Sequence, residues 1–377
     1  MSHRSPRFLR LSLLLVLSII GSSTGFADRP LDKIPGKEFS ALIQRLSEDP
    51  GFFDSDNLVS NEASYLQVFG MLDKLEVRGG VYLGVGPEQN FSYIAKTRPR
   101  LAILLDIRRQ NLLYHLMFKA LFDCSRNRTE YLANLFCKPL PRKHPLSKES
   151  TIGDLVFYLE RIHPSETLFQ KNLALIEQRI RKDQQFPLMS SDSKAIRDIF
   201  REFFDQQFEI RFRSFGRPSF RFYPSLKEIV LERDLEGQWG NYLNSEADFQ
   251  FIKELHANNH IIPVVGDFAG PKALRAIGTY LNELGETVSA FYVSNVEFYL
   301  MRDEETFARF GKNVKQLPIT ERSVFIRAYF RFPHPERRPG YISATVLQRI
   351  RSFLRLLDAG RYHSYQDLGL YDYLGNE

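Results

Sequence analysis

The sequence predicts an α/β protein, with a doubly wound, mostly parallel sheet interrupted by a mostly helical insertion containing a β-hairpin. Three observations lead there. Short apolar runs at 81–86, 101–105, 261–266 and 287–293 each end in a polar or glycine turn. Segments with apolar positions at helical spacing follow the turns, and strand–helix alternation in this order builds parallel sheets. The rhythm stops between 138 and 233 and then resumes. The chain has 377 residues, 43% hydrophobic and 25% charged. Those are globular proportions, which exclude a disordered tail, a collagen-like fibre and a multi-span membrane protein. At roughly 100–200 residues per domain, the length suits two domains or one domain with a large insertion.

The N-terminus carries a separate signal. Arg4, Arg7 and Arg10 precede the apolar run LSLLLVLSII at 11–20, and Gly21-Ser22-Ser23-Thr24-Gly25-Phe26-Ala27 follows. A basic start, a short apolar core and small residues at −3 and −1 (Gly25 and Ala27) form a secretory signal peptide pattern, cleaved near Ala27. The apolar run is about half of the roughly 20 residues a spanning helix needs. The alternative is an uncleaved anchor, with the N-terminal segment as the membrane contact. The expected organisation is a signal peptide at 1–27, the first part of the α/β domain with N-terminal helices at 28–137, the insertion at 138–233, and the second part with a C-terminal helix at 234–377. The mature protein is expected to be extracytoplasmic, periplasmic or secreted.

Along the mature chain, 38–49 and 61–75 have amphipathic helical spacing. Strand 81–86 leads through Pro87-Glu88-Gln89-Asn90 into a helix at 91–96, and strand 101–105 closes on Asp106 before a long helix at 108–122. Cys124 and Cys137 flank a helix predicted over 129–136. At 1.5 Å per residue that helix holds them farther apart than the roughly 7 Å a disulfide allows, so two buried free thiols are expected. A Pro/Lys-rich loop opens the insertion, and 151–182 and 193–207 read as helical. Period-two alternation on both sides of Gly216-Arg217-Pro218 predicts a hairpin over 208–222. After 233, Ser245 and Asp248 start a helix at 246–257 in the manner of a capping box. Strand 261–266, helix 271–284, strand 287–293, strand 323–330 and a helix at 345–357 complete the series.

Open parallel sheets bind ligands beyond the carboxyl ends of their strands. Here those ends carry Gly84 and Gly86, Asp106, Asp267, and Ser294-Asn295. Asp106 follows Gly86 by 20 residues, the interval at which nucleotide-binding units place a ribose-binding acid. A dinucleotide loop would continue G-x-G-x-x-G. In this chain Gln89 stands at the third glycine, and the Glu88 carboxylate would repel a diphosphate. A phosphate-free adenosyl ligand such as S-adenosylmethionine tolerates that acid, which could even face a cationic amine.

The strings VYLGVGPEQNFSYIA, LAILLDIRRQN, PVVGDFAGPKALRAIGTYL and FYVSNVEFYL resemble a bacterial protein family of uncharacterised function. That family is similar to a branch of the class I S-adenosylmethionine-dependent methyltransferases, and the resemblance spans about 60–135 and 225–335. It implies a Rossmann-like sheet, with Gly84, Gly86, Glu88, Gln89 and Asp106 at the cofactor and Asp267 and Asn295 in the substrate cleft. The Asn/Asp-Pro-Pro-aromatic motif of base N-methyltransferases is missing, and no catalytic base is assigned. S-adenosylmethionine is cytoplasmic, so export would remove the donor. Either the N-terminus tethers an inward-facing domain, or the cavity binds something else and the protein is a noncatalytic ligand- or protein-binding module.

Other motifs give way to plainer readings. His256 and His260 have the spacing of a zinc helix, but Asn258-Asn259 reads as a turn that breaks their common face, and no metal is expected. Five Arg among aromatics at 200–223 could stack on single-stranded nucleic acid, but the hairpin alternation explains the same residues. Ser294 lacks a nucleophile-elbow context. His115 reads as a helix-face residue, and Trp239 as either a cover for the cleft or core packing. The net charge of +6 includes three Arg and no acid from 1–27. The 138–233 stretch carries 18 Lys+Arg against 13 Asp+Glu, so the remainder is near neutral. The expected partner is a small molecule rather than a nucleic acid. A fusion of residues 1–40 to a reporter active only outside the cytoplasm is expected to be active; a full-length but silent fusion would place the domain inside.

Overall fold

The computed structural model describes residues 1, 31–215, 223–330 and 332–375. The chain divides into units 1–31 and 32–377, and all that follows concerns the second. The predicted signal peptide, its cleavage position and the Gly216-Arg217-Pro218 turn lie outside the described residues. Among the described residues, no helix is long and apolar enough to cross a membrane.

The described strands form one seven-stranded sheet. They are β1 (Val81–Gly84), β2 (Leu101–Asp106), β3 (Ile261–Val265), β4 (Val288–Ser294), β5 (Ile319–Phe330), β6 (Ser343–Arg349) and β7 (Tyr373–Leu374), in the order β3-β2-β1-β4-β5-β6-β7. Neighbours from β3 to β5 are parallel, whereas β6 runs antiparallel to β5 and β7 antiparallel to β6. Every residue of β1, β2 and β3 is buried. That burial accounts for their continuous apolar runs, since a parallel strand is covered on both faces. The direction in which successive strands are added reverses between β1 and β4, which opens a crevice at their carboxyl ends.

The helix Arg109–Cys124 is buried from Asn111 through Phe122. It packs against β2, β3, the helix Glu246–Ala257 and the insertion helices Glu166–Lys182 and Ser190–Gln206. A helix enclosed this way has no polar face, which explains its weak periodicity. The insertion therefore belongs to the same compact unit as the sheet. Caps start several helices where the sequence places them. Ser245 accepts from the Asp248 N–H, and Thr151 and Asp154 form a reciprocal capping box.

Four elements differ from the sequence prediction. Residues 61–75 form a 3₁₀ turn at Ala63–Val68 and then a short helix, Phe69–Lys74. Ser64 there shares hydrogen bonds with Ser343 (2.7 Å) and Thr345 (2.9 Å), which tie the tight turn to β6. The stretch 151–182 splits into Ile152–Leu159 and Glu166–Lys182. Pro164 cannot continue the first helix, and Ser165 caps the second. The turn and second arm of the hairpin predicted over 208–222 lie largely outside the described residues, although Arg211 and Ser225 form an antiparallel bridge. Phe208, Ile210 and Phe212 are buried, as the alternation requires. The backbone there also pairs with 54–56, which the sequence does not predict, through Asp56 N–H to Arg213 O (2.9 Å) and Phe215 N–H to Asp54 O (2.8 Å). Lastly, 343–349 is a strand rather than part of a helix at 345–357; it lies between β5 and β7, buried on both faces, and the helix Ile350–Asp358 follows. Cys124 and Cys137 are both free; Cys137 is buried, with its thiol pushed up to about 12 by desolvation, and Cys124 is half-buried.

An ion pair locks the antiparallel edge to the parallel sheet. Arg327 on β5 donates to both carboxylate oxygens of Glu297 (2.5 and 3.0 Å) and to Gln348 on β6 (2.6 Å), and both charges are buried. Breaking such a pair costs more than replacing it whole. Glu297→Ala is expected to destabilise by about 3–5 kcal/mol, and Glu297→Leu with Arg327→Met to recover most of that loss. Denaturant midpoints of the three proteins check this.

Candidate ligand cavity at the strand ends

A cavity of about 340 Å³ opens where β1, β2, β3 and β4 end. Gly86, Asp106, Asp267 and Asn295, which the sequence places at separate strand ends, all line it. Gly84, Glu88 and Gln89 do not.

The loop after β1 is held from below. Asn90 donates to Val85 O (2.9 Å) and Pro87 O (2.8 Å), and the Tyr82 hydroxyl donates to the Asn90 carbonyl (2.8 Å). A Cβ on Gly84 would lie 2.0 Å from that Asn90 oxygen, so the first glycine makes room for the loop's own clamp. Gly86 adopts φ +85°, a conformation that favours glycine. Its carbonyl accepts from Asn111 and bonds His115 Nε2, both at 2.9 Å. Burial pushes His115 down to about 4, so it is neutral at physiological pH, and the bond requires its Nε2–H form.

Asp106 ends β2 in an ion pair. Its Oδ1 accepts from the Arg108 backbone N–H (2.9 Å) and Nε (3.1 Å), and its Oδ2 from Nη2 (3.0 Å). Arg108 also donates to the carbonyls of Ser55 (3.1 Å) and Asp56 (2.8 Å). A carboxylate offers about four acceptor sites, so three bonds leave Asp106 capacity for a ligand hydroxyl. Beyond β3, Asp267 Oδ1 accepts from the Ala269 N–H (2.9 Å). Glu48 takes the Asp267 N–H (2.7 Å) and, on its other oxygen, the Lys272 (2.9 Å) and Ala273 (3.0 Å) N–H groups at the start of the helix Ala273–Leu284.

Glu62, which no motif marks, supplies the cavity's third carboxyl. It is 1% exposed and lines the wall. The Tyr292 hydroxyl donates to Oε2 (2.6 Å) and the Ser294 hydroxyl to Oε1. Ser294 holds a left-handed φ of +51°, strained for a residue with a side chain. Desolvation pushes Glu62 up to about 7, against the hydroxyls of Ser294 and Tyr292 and the Gln89 amide. Phe52, Phe53, Phe212, Phe268, Tyr292 and Tyr299 add aromatic rings to a wall of otherwise mixed character. Phe53 and Tyr299 meet edge to face at 5.0 Å, and Phe52, at 80% exposure, stands at the rim.

Glu88 points away from the cavity, into a buried layer where Tyr65, Tyr114, Tyr131 and Tyr242 feel its charge. Both carboxyl oxygens lack a hydrogen-bond partner, and burial pushes the group up to about 8. It is therefore a neutral acid under the loop. Among the other candidates, His256 is buried and His260 bonds the Asp32 carbonyl (3.0 Å). No metal-holding group of three or more His, Cys, Asp or Glu is found among the described residues. Trp239 is half-buried, faces Arg233 at 4.3 Å, and does not line the cavity.

Together these features define an α/β protein whose mostly parallel sheet opens a ligand-sized cavity at the point where strand order reverses. The chain belongs to the family described as Domain of unknown function (DUF7790), which matches residues 57–140 and 158–371. No curated protein matches it.

The buried acids set the pH response. The unfolded chain ionises Glu88 near 4.5, whereas the folded protein keeps its proton to about 8. That contribution is full below 4.5 and is lost as pH rises through 8. His115 acts in the opposite sense, adding stability from about 4 to 6.5. Above pH 6.5 the acids act without that offset. Glu88→Gln is expected to flatten the fall in Tm between pH 6.5 and 8.5 by several degrees. Thermal melts across that range check it.

Proposed function

We propose that this is an exported, methyltransferase-like protein with a Rossmann-like fold that binds an adenosyl cofactor, S-adenosylmethionine, in the strand-end cavity. One observation carries the reading: a glycine in left-handed conformation after β1, an acid at the end of β2 and a second acid after β3 converge on one cavity. The strand order 3-2-1-4-5 with its reversal beside β1 supports the same reading.

The residues suit that ligand better than a phosphate-bearing one. Among the described residues, Arg108 is the only Lys or Arg on the wall, and Asp106 already pairs it. Glu62, Asp106 and Asp267 make the wall acidic. Asp106 has acceptor capacity for ribose hydroxyls, and Asp267 Oδ2, which carries no protein hydrogen bond, can take an exocyclic amine. Bound there, S-adenosylmethionine supplies an electrophilic methyl group. The chain's part is to hold both reactants in line and exclude water. Asn295 on the wall orients an acceptor.

A second reading, a noncatalytic extracytoplasmic module, rests on the secretory pattern at 1–27, which would separate the protein from a cytoplasmic donor. Calorimetric titration of the purified protein with S-adenosylmethionine and S-adenosylhomocysteine tests the first. Binding is expected, with about 2.7 kcal/mol of stabilisation at a hundredfold excess over Kd. The absence of both heat and thermal shift at millimolar ligand would overturn it. Asp267→Asn is expected to weaken binding about tenfold, and unchanged affinity would remove Asp267 from the site.

A further inference from the structure

The cavity's charges and rings show which ligand group it suits. Glu62 and Asp267 remain after Asp106 is paired with Arg108, and among the described residues no wall cation is left to neutralise them. Around them stand Phe52, Phe53, Phe212, Phe268, Tyr292 and Tyr299. Acids backed by aromatic faces attract organic cations, which need little hydrogen bonding and lose little hydration on leaving water.

Glu62 is built into this wall. The Tyr292 hydroxyl (2.6 Å) and the Ser294 hydroxyl fix its two oxygens, and strained backbone at Ser294 aims the second. The titratable groups facing it are tyrosines: Tyr82 from β1, Tyr93 from the helix Asn90–Thr97, Tyr292 from β4 and Tyr365 from the helix Tyr365–Leu370. All four are held above the ordinary tyrosine value by burial, so each stays neutral. Among the described residues Glu62 thus has no counter-ion, and desolvation brings it to about 7.

We propose that the cavity takes an organic onium cation, a sulfonium or quaternary ammonium group, seated against the aromatic wall with the Glu62 carboxylate as its counter-ion, and that Glu62 releases its proton to solvent as the cation enters. For a sulfonium ligand the proposal rests on the adenosyl reading; the onium chemistry itself is tested without it. The exchange balances in charge, since one cation enters and one proton leaves. The entering cation replaces the proton as the partner of the buried acid, and the Tyr292 and Ser294 hydroxyls serve the carboxylate in place.

Calorimetry of the full chain with choline, with its neutral isostere 3,3-dimethylbutan-1-ol and with S-adenosylmethionine tests this. Titrations in two buffers of different ionisation heat count the protons released. Choline is expected to bind at least tenfold more tightly than the isostere. Release should approach one proton per choline at pH 6 and fall towards none at pH 8. Affinity should rise about tenfold over that interval, as the ionised fraction of Glu62 grows. Glu62→Gln should abolish both the proton release and the preference for the cation. Equal affinity for choline and the isostere, no proton release at pH 6, or a Glu62→Gln protein that keeps both properties would each overturn the proposal. If that variant does not fold, the wild-type proton count and isostere preference decide. S-adenosylmethionine binding without an onium preference would overturn the proposal and leave the adenosyl reading standing. Choline binding with proton release but no S-adenosylmethionine binding would do the reverse.

Discussion

The cavity depends on the Arg108 guanidinium. It neutralises Asp106 at the end of β2 and caps the carbonyls of Ser55 and Asp56. Those two residues lie in the segment 51–62, which forms no strand of the sheet and yet supplies Phe52, Phe53, Asn57, Asn61 and Glu62 to the cavity wall. Without the guanidinium, two carbonyls and a buried carboxylate would need other partners. The pair is nearly dry, at 5–6% side-chain exposure. Its worth therefore lies less in net stability than in fixing one arrangement, since a buried ion pair roughly balances its own desolvation. Asp106 thus holds the wall in place while keeping acceptor capacity towards the cavity.

The same layer separates two glutamates that composition cannot tell apart. Both Glu62 and Glu88 are buried and held above the ordinary carboxyl value by desolvation. Glu62 meets two hydroxyls and borders a cavity that a ligand can enter. Glu88 meets aromatic rings and has no partner at all. A cation can ionise the first, because it can approach within contact distance. Nothing on the described protein offers the second a route to a counter-ion. Both acids make the fold sensitive to pH, and of the two only Glu62 lines the cavity.

What could be read in the sequence follows from what is local. The strands β1 to β4 announce themselves because parallel strands buried on both faces must be continuous apolar runs, and their glycine and acid ends follow by position alone. Gly86, Asp106, Asp267 and Asn295 reach one cavity for that reason. The misread elements are those decided by distant partners. Alternation at 208–215 correctly identified the buried Phe208, Ile210 and Phe212, but not that the backbone would pair with 54–56, more than 150 residues away. The strand β6 was hidden because a strand enclosed on both faces loses its period-two signal. Glu62 carries no motif: its role comes from Tyr292 and Ser294, more than 200 residues further along, and no spacing rule links them. Glu88 misled because adjacency to a glycine loop says nothing about which way a side chain turns.

The insertion has a structural part in the cavity, and its own polar contacts show how. Arg213, at its far end, donates its backbone N–H and Nε to the two carboxylate oxygens of Asp56, both at 2.9 Å. Phe215 N–H reaches Asp54 O, and Phe212 lines the cavity directly. The segment 51–62 is thus gripped twice, by Arg108 from the sheet and by Arg213 from the insertion. At the near end, Arg109, next to Arg108, forms a two-bond pair with Asp192 at the start of the helix Ser190–Gln206. Within 138–233, Arg211 and Arg213 remain partly exposed while they pair with acids of the chain. A surface meant for nucleic acid would leave its guanidinium groups free for phosphate. Here Arg211 and Arg213 are paired with Glu228, Glu202 and Asp56. These pairs hold the segment 51–62 beside the sheet, where it forms one wall of the acidic cavity.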